Sequence, residues 1–426
     1  MIVALCVAPA RAADIQVVTS QGGVTAWLIE DHANPLITVD IAFRGGSVYD
    51  PGGREGVANM VSGLLDEGAG GLDSRTFQTR LEDLQIQLRF DAGRDDFDGS
   101  LRTLSKNRDV AFDLLRLALT APRFDAEPVE RIRGQILSGL LRSQDDPDTI
   151  ANLAWYATMF PGHPYGRPSD GTVETVRAIE IADLKAHVAR HLVRDDMIVS
   201  VVGDIDAATL APLLDSTFGA LPAGEPRPVP AADPFAGGME TVIERPVPQT
   251  VINFGLPGIQ RDDPDWYAAY VMNYVLGGGG FTSRLTEEVR EKRGLAYSVY
   301  SYLYPMDHAG LWVGGVSTQN ARAGESVQVI RDELARLRED GVTADELANA
   351  KAYLNGSFPL NLTSSARIAG LLTAIQRNDL GLDYMDRRAG LIDSVTLDDV
   401  QRVAKRLIDP AKLLVIAVGR PVGLGG

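Results

Sequence analysis

Residues 279–284 read Gly-Gly-Phe-Thr-Ser-Arg, and residues 70–75 read Gly-Gly-Leu-Asp-Ser-Arg. The second glycines of these two stretches, Gly71 and Gly280, lie 209 positions apart. The period of solenoid repeats is far shorter, at roughly 20–50 residues. A repeat of this length therefore predicts two similar α+β domains within one chain.

The patterns on either side of the two stretches follow the same order. In each half, alternating strand patterns come first, then a helical pattern and the glycine turn. A helix and further strand patterns follow the turn, then helices with apolar spacing and a closing apolar strand. The strand patterns at 15–30 and 36–43 correspond to those at 240–244 and 250–256, and the closing strand at 197–202 corresponds to that at 413–418. The helical patterns at 56–65 and 111–120 correspond to those at 266–276 and 323–338, and the helices that begin near Glu127 and Glu346 form a further pair. We therefore predict two homologous domains, each a mostly antiparallel sheet packed with helices.

A stretch rich in proline, alanine and glycine separates the halves. Leu221–Gly238 reads LPAGEPRPVPAADPFAGG, a composition typical of a semi-rigid linker. We place the first domain at residues 14–222, the linker at 223–238 and the second domain at 239–426.

The start of the chain is typical of a secretion segment. An apolar run at 2–9 leads into Ala10-Arg11-Ala12-Ala13, which matches the small-residue cleavage pattern. We expect residues 1–13 to be the remnant of a signal peptide and the mature chain to be periplasmic or secreted. Cys6 is the only cysteine, so such a mature chain has no thiol or disulfide chemistry. No later run reaches ~18 apolar residues, so we expect no membrane span.

The charge balance excludes one class of partner. Lysine and arginine number 41 against 57 aspartates and glutamates, for a net charge of −16. Nucleic-acid binding requires clustered cations, so we expect no nucleic-acid partner. The acidic balance either favours basic peptides or serves only solubility.

Three stretches, in this order, resemble the pitrilysin and mitochondrial-processing-peptidase family of clamshell metallopeptidases. FRGGSVYDPGGREGVANMVSGLLDEG (43–68) is similar to the family's zinc-helix region. HPYGRPSDGTVETV (163–176), followed by MIVSVVGDI (197–205), is similar to a later first-domain segment. LGGGGFTSRLTEEVREKRGLAYSVYS (276–301) is similar to the second-domain segment. The resemblance covers nearly the whole chain and implies two alike domains facing a shared chamber.

Active members of this family carry an inverted zinc motif, H-x-x-E-H, and a distal glutamate about 75 residues later. At the matching positions this chain has Asn59, Ser62, Gly63 and, for the distal ligand, Gly139. None of these residue types is a protein zinc ligand, and neither serine nor glycine serves as the general base. The resemblance therefore implies a zinc-less subunit, with no cofactor in this chain and zinc in a partner subunit.

The histidines offer no replacement site. His187 and His191 have ligand spacing on a predicted helix, but Val188 occupies the glutamate position of the forward H-E-x-x-H motif. We interpret both as solvated histidines on a surface helix. His163 lies in a turn flanked by proline and glycine, and we interpret it as structural.

The second half carries the residues that the family uses opposite the metal. The resemblance implies that Arg290 and Tyr297 hold the peptide carbonyl and its developing negative charge, and Arg293 is the nearest competitor for the arginine role. The residues return to one face over seven helical steps, and they also converge if Gly294 ends the helix. From residue types alone, the alternative is a surface arginine and a tyrosine in a strand core.

The glycine run Gly277, Gly278, Gly279 and Gly280 is neither a P-loop nor a dinucleotide fingerprint. Four glycines predict a flexible turn with accessible backbone amides. The resemblance implies a substrate-gripping loop, as in the zinc-less subunit of mitochondrial processing peptidase. A plain connection between helices remains the alternative.

Together these features predict a chain that is inactive alone. Paired with a homologous zinc-bearing subunit, it would form a heterodimeric zinc metalloendopeptidase that degrades unfolded peptides. Two alternatives stay open: an inert scaffold, as in the core subunits of the respiratory cytochrome complex that share this fold, and a peptide-binding homodimer that never cuts.

Overall fold

The computed structural model describes residues 14–224 and 228–425. The expected signal segment at 1–13, with Cys6, lies outside the described residues. None of the helices in the described ranges combines the length and apolar character needed to cross a membrane.

The first half contains six strands and eight α-helices within the described residues. They are β1 (Gln16–Thr19), β2 (Thr25–Glu30), β3 (Leu36–Phe43), α1 (Val57–Ser62), α2 (Ser74–Asp83), β4 (Gln87–Ala92), β5 (Phe97–Leu104), α3 (Arg108–Thr120), α4 (Ala126–Ser143), α5 (Pro147–Met159), α6 (Val173–Ala178), α7 (Ile181–His191), β6 (Ile198–Gly203) and α8 (Ala207–Phe218).

The second half runs through a similar series. Its elements are β7 (Met239–Glu244), β8 (Gln249–Pro257), α9 (Trp266–Asn273), β9 (Ala296–Pro305), β10 (Gly310–Gln319), α10 (Ala323–Asp340), α11 (Ala344–Gly356), α12 (Ser365–Arg377), α13 (Tyr384–Asp393), α14 (Leu397–Leu407) and β11 (Leu414–Gly419). Two wide helical turns, Tyr274–Gly278 and Thr286–Glu291, lie between α9 and β9.

The second sheet repeats the topology of the first without its outermost strand, β1. The first has the order β1-β2-β6-β3-β5-β4, and the second has the order β7-β11-β8-β10-β9. The last strand of each half pairs in parallel with an early strand, β6 with β2 and β11 with β7, and the other pairs are antiparallel. This confirms two homologous α+β domains with mostly antiparallel sheets.

Local sequence sets the ends of the helices. The Asp146 carboxylate caps α5 by accepting the backbone N–H of Thr149 at 2.8 Å, and Thr343 with Glu346 forms a capping box at the start of α11. The closing strand β11 reads LVIAVG and is buried along its whole length. Such a continuous apolar run is expected of a strand covered on both faces.

Each sheet takes part of its cover from the other half. Helix α5, from the first half, packs on β11 and β8 of the second sheet. The indole of Trp155 fills the space above Gly255, where a β-carbon would lie only 2.7 Å from the ring. Trp155 and Phe160 therefore share a core with second-half residues such as Leu311 and Ile416.

Helix α12, from the second half, covers β6 and β3 of the first sheet in the same way. Its Thr373 hydroxyl donates to the buried Ser200 hydroxyl at 2.9 Å, and the Gln376 amide donates to the same oxygen at 2.8 Å. Arg377 closes the helix with ion pairs to Asp96 at 2.6 Å and Asp98 at 2.9 Å. The exchange of helices is thus reciprocal.

A cavity of about 780 Å³ lies where the halves meet. Its acidic wall includes an ion pair between the halves, because Arg44 of the first half contacts Asp307 of the second at 3.1 Å, while it also contacts Asp196 of its own half at 3.1 Å. The backbone N–H of Asp307 also donates to Asp95 at 3.2 Å. These contacts hold the two halves together from the polar side.

The segment predicted as the linker is pinned to both halves. The Phe235 N–H donates to the Met159 carbonyl at 2.8 Å, and the Ala232 N–H donates to the His308 carbonyl at 3.0 Å. His163 donates from Nε2 to the Pro230 carbonyl at 3.0 Å while its Nδ1 accepts the Tyr165 N–H at 3.1 Å. The structural interpretation of His163 is therefore confirmed.

Trp155→Ala should destabilise the whole protein, although this residue belongs to the first half and packs on the second. We expect a loss of about 3–5 kcal/mol in the free energy of unfolding, as for other large-to-small core changes. Denaturant unfolding measures it, with Leu153→Ala on the exposed side of the same helix as control, expected to cost less than about 1 kcal/mol. Equal losses in the two variants would contradict reciprocal packing.

Candidate functional site

The helix that carries the zinc motif in active relatives is α1, and it is well formed here. The Asp50 carboxylate accepts the Gly56 N–H at 2.7 Å and the Ala58 N–H at 2.9 Å, so it caps the helix. Burial raises the pKa of Asp50 to about 7, against the lowering effect of those two hydrogen bonds. The Ser62 hydroxyl is turned back to the Asn59 carbonyl at 2.8 Å. These polar groups of α1 therefore have hydrogen-bond partners in the Asp50 cap and in the helix backbone.

The remaining two motif positions are glycines. A β-carbon at Gly63 would lie 3.3 Å from the Ile132 side chain, and one at Gly139 on α4 would have no atom within 4 Å. None of Asn59, Ser62, Gly63 and Gly139 offers a thiolate, imidazole or carboxylate, so these residues do not fit zinc. The described part of the chain contains no group of three or more His, Cys, Asp or Glu residues placed to hold a metal ion.

The prediction that His187 and His191 are solvated is wrong. Both are buried, and their rings lie 4.8 Å apart, with His191 also 4.8 Å from the Tyr49 ring. They share the buried face of α7 with Leu184, so the helical spacing of the apolar face includes the two imidazoles. Burial lowers the pKa of His187 to about 3, aided by His191, and that of His191 to about 4, aided by Arg190.

In the second half, Arg290 lies between two aromatic rings. Its guanidinium carbon is 4.7 Å from the centre of the Phe281 ring and 4.9 Å from the centre of the Tyr297 ring. Its ion-pair partner among the described residues is Glu291, at 3.4 Å. The two rings are largely exposed, at 72% for Phe281 and 84% for Tyr297. The arginine thus keeps its charge near solvent while the rings fix its position.

Arg290 and Tyr297 converge, but not on one helix face. Arg290 is in the wide turn Thr286–Glu291, and Tyr297 is the second residue of β9, so the chain folds back between them. Arg293, the competitor for the arginine role, instead donates to the Glu288 carbonyl at 2.8 Å and pairs with the Glu288 carboxylate. Residue types alone suggested that Tyr297 lies in a strand core, and this alternative is wrong, because its side chain is exposed.

The glycine run is a packed helical segment, not the flexible turn expected from composition. Gly277 is buried, and a β-carbon there would lie 2.3 Å from the Ser301 hydroxyl and 2.8 Å from the Ser301 nitrogen. Gly280 has a φ of +56°, a conformation that glycine adopts without strain. Glycine is therefore required here by close approach to β9 and by one left-handed backbone position.

The Ser-Arg end of the repeated motif is structural in the second half. Arg284 is buried and forms a two-pronged pair with Glu346, with both N–O distances 2.7 Å. It also donates to the Gly341 carbonyl at 2.9 Å. Its counterpart Arg75 is exposed. The two copies of the motif therefore differ in structure: the arginine of the second links the glycine loop to helix α11, whereas the arginine of the first is exposed.

A pocket of about 420 Å³ brings the second-half residues together. Among its lining residues are Gly277, Gly278, Gly280, Arg290 and Tyr297 from the predicted set, together with Phe281, Tyr300 and Tyr302. Gly279 and the four degenerate zinc positions are not part of its lining. The aromatic residues were missed in the sequence, although Tyr300 and Tyr302 stand at alternate positions of what proves to be β9, a spacing that places them on one face of a strand.

Comparison with known proteins identifies the family. A family model described as "Insulinase (Peptidase family M16)" matches residues 25–173, and one described as "Peptidase M16 inactive domain" matches residues 178–354. The non-peptidase homolog YmxG of Helicobacter pylori is 31% identical over 351 residues, which is 82% of this chain and 81% of that relative. The chain belongs to the M16 peptidase family. The resemblance found in the sequence is thereby confirmed.

Other known proteins and structures match most of the chain. An uncharacterized zinc protease of Streptomyces coelicolor is 33% identical over 317 residues, covering 72% of this chain and 68% of that protein. The crystal structure of a peptidase M16 inactive domain from Pseudomonas fluorescens superposes with a TM-score of 0.89 at 30% identity, covering 97% of this chain and 99% of the other. A chain of complex III2 from Candida albicans, with a TM-score of 0.78 at 18% identity and 96% of each chain covered, shares the fold alone.

The buried histidine pair predicts an acid-sensitive step in stability. A lowered pKa means that the unfolded chain binds these protons first, so stability is full above the unfolded pKa of about 6.5 and is lost as pH falls towards 4. Each imidazole should remove up to about 1.4 kcal/mol of unfolding free energy per pH unit in this range. Denaturant unfolding at a series of pH values measures the slope.

The double variant His187→Leu/His191→Leu should reduce that slope relative to the parent. His32→Gln is the control, because His32 is exposed and its pKa is raised by hydrogen bonds to Asp204 and Glu30, so its contribution has the opposite sign. An unchanged slope in the double variant, or the same reduction in the control, would show that other groups set the acid limit.

Proposed function

We propose that this chain is the zinc-less subunit of a heterodimeric M16 metallopeptidase that degrades unfolded peptides. One observation carries the proposal: Arg290 is fixed between Phe281 and Tyr297 at the mouth of an open pocket, while the positions of the zinc motif hold no ligand. The chain has groups suited to a reacting carbonyl but none that activates water. The metal-activated water therefore belongs to a homologous subunit with an intact H-x-x-E-H motif.

The chemistry of the pair suits amide hydrolysis. Attack of water on a peptide carbonyl moves negative charge onto its oxygen, and preorganised donors at that oxygen lower the barrier. Arg290 supplies a permanent positive charge with forked N–H donors, and Tyr297 supplies a neutral hydroxyl donor. Because the rings of Phe281 and Tyr297 restrict the guanidinium, little ordering is needed when a carbonyl arrives.

Unfolded peptides are the substrate class that the sheets favour. β4 is the last strand of the first sheet, and β9 is the last strand of the second. In the described residues no further strand pairs with the outer side of either one. Side chains of Asn273 and Thr286 already donate to backbone carbonyls of β9, so β4 is the edge at which an extended peptide can add as another strand, bonded through its main chain and so with loose sequence preference. A folded protein offers no such free segment.

The compartment is part of the same proposal. The apolar run at 2–9 and the pattern Ala10-Arg11-Ala12-Ala13 direct the chain to the periplasm or outside the cell. Peptides that need clearing in that compartment would be the substrates.

The isolated chain should neither hold stoichiometric zinc nor cleave peptide. The reason is the absence of imidazole and carboxylate ligands at Asn59, Ser62, Gly63 and Gly139. Elemental analysis of the purified full-length chain measures the metal, and a quenched fluorescent peptide measures cleavage. Metal-dependent cleavage by the chain alone would refute the assignment of a zinc-less subunit.

Paired with a zinc-bearing subunit, Arg290→Ala should lower kcat by about 100-fold or more, the usual cost of removing one donor to a developing oxyanion. Tyr297→Phe should also lower kcat, and neither variant should prevent pairing, because both side chains are near the surface. Steady-state cleavage and size-exclusion chromatography measure the two properties.

The matched controls are Arg293→Ala and Tyr353→Phe. Arg293 is on the same segment but turned to Glu288, and Tyr353 is an exposed tyrosine of α11 outside the pocket lining. Both controls should retain nearly full turnover. If Arg290→Ala and Tyr297→Phe behave like the controls, the pair is structural and the proposed catalytic contribution is wrong.

A further inference from the structure

We propose that Glu288 is a positioning residue for Arg290. Its buried carboxylate holds the neighbouring cations of the segment and ties the wide turn to α10, so that Arg290 alone is presented at the pocket. The effect on catalysis rests on the proposed function, whereas the placement of the Arg290 side chain is a property of the isolated chain.

The local sequence contains three cations that compete for the position of Arg290. Residues 287–293 read EEVREKR, with Arg290, Lys292 and Arg293 within four positions. Each of these side chains is long and has many rotamers, and residues three apart, such as Arg290 and Arg293, are neighbours on one side of a regular helix. Among the described residues that line the pocket, however, Arg290 alone carries a charge. Some feature of the fold must therefore hold the other two cations away.

That feature is the carboxylate of Glu288. Glu288 is only 7% exposed, and its carboxylate lies 2.7 Å from the Lys292 ammonium and also pairs with the Arg293 guanidinium. The Arg293 guanidinium donates in addition to the Glu288 carbonyl at 2.8 Å. The bonds from Lys292 and Arg293 lower the pKa of the Glu288 carboxyl, so it stays ionised at neutral pH. Both cations are thereby turned to Glu288 and not to the pocket.

The same carboxylate connects the wide turn to α10. Arg336 of α10 lies 3.9 Å from the Glu288 carboxylate and 3.1 Å from that of Glu333, which is also buried. The next residue of the turn, Val289, is fully buried in the apolar core of the second half. Arg290 follows directly, so an ionic and an apolar contact anchor the turn immediately before the arginine.

The hydrogen bonding of the turn makes this anchoring necessary. The Lys292 N–H donates to the Glu287 carbonyl at 2.9 Å, five residues earlier, so the turn is wider than that of an α-helix. Wide turns of this kind are rare and frequently occur at functional sites. An extra residue in the turn changes the direction of the side chains that follow it. Glu288 therefore stabilises the form of the turn that directs Arg290 between its two rings.

The cluster withstands the loss of one cation but not of the carboxylate. Without Arg293, Glu288 keeps Lys292 and Arg336, in agreement with Arg293→Ala as a control for turnover. Without the charge of Glu288, these three cations lose the carboxylate that they share, and their mutual repulsion loosens the turn. The start of the segment stays fixed, because Arg284 has its own ion pair with α11.

Proton–nitrogen NMR spectra of the arginine Nε–H groups test this placement in the isolated full-length chain. The rings of Phe281 and Tyr297 shift the Arg290 signal by their ring currents, and Arg290→Lys identifies that signal by its loss. Glu288→Gln keeps the size of the side chain and removes its charge. We expect this variant to abolish at least half of the shift that Phe281→Ala abolishes.

Glu287→Gln is the matched control, because Glu287 is on the same turn and also has an ion pair but is exposed. It should leave the Arg290 signal in place. The Arg94 guanidinium, 3.6 Å from the centre of the Tyr156 ring, is the internal reference for a folded protein. An unmoved Arg290 signal in Glu288→Gln, or an equal change in Glu287→Gln, would overturn the positioning role. So would a simultaneous loss of the Arg94 signal, because Glu288 would then act on the fold as a whole.

Paired with the zinc-bearing subunit, Glu288→Gln should lower kcat about tenfold and leave KM within about twofold of the parent, because a misplaced donor weakens the transition state rather than binding. Glu287→Gln should retain nearly full turnover. A displaced Arg290 signal with full turnover would support the positioning role and remove the proposed catalytic contribution of Arg290. A loss of kcat with an unmoved Arg290 signal would overturn the positioning role and leave the proposed function standing.

Discussion

The reciprocal exchange of α5 and α12 is the constraint on which the rest of the molecule depends. Each sheet buries one face against helices of its own half and needs cover on the other, because uncovered strands such as the wholly apolar β11 would expose their side chains. Trp155 supplies that cover in one direction and Thr373 and Gln376 in the other, where a buried hydrogen-bonded cluster joins the two halves. Without the other half, each sheet would therefore leave apolar side chains of one face exposed.

This exchange also determines which parts of the sheets stay open. α5 lies over β11 and β8, so the cover ends before the sheet does and β9 is left at the margin. On that margin the rings of Tyr300 and Tyr302 continue the face that Trp155 occupies further in, since Tyr302 pairs with Val313 of the same mixed core. The candidate site therefore lies at the strand where α5 of the first half no longer covers the second sheet.

The sequence predicted the duplication and the family because both depend on local patterns that repeat: the glycine turn, the strand order and the closing apolar strands. It also predicted the convergence of Arg290 with Tyr297, which the structure brings about with the helical segment ending before Gly294 rather than on one helix face. What it missed depends on tertiary contacts. Burial of His187 and His191 follows from the orientation of α7, whose apolar spacing from Leu184 includes both histidines but does not by itself tell a buried imidazole from a solvated one. The packing of Gly277 follows from the position of Ser301, which no local pattern indicates. The reciprocal cover of the sheets is likewise a long-range property.

The exposed cluster around Arg290 is difficult to explain as a contribution to stability. Phe281 and Tyr297 bury little of their surface, and a cation held between two such exposed rings contributes only about 0.5–1 kcal/mol. Large exposed aromatic side chains also favour aggregation, so polar residues would suit these positions better if the rings had no contact to make. The buried Arg284, by contrast, has a complete structural explanation in its pair with Glu346. Of the two arginines, the one whose surroundings do not account for it lies at the open pocket, where the proposed function would have a substrate supply further contacts.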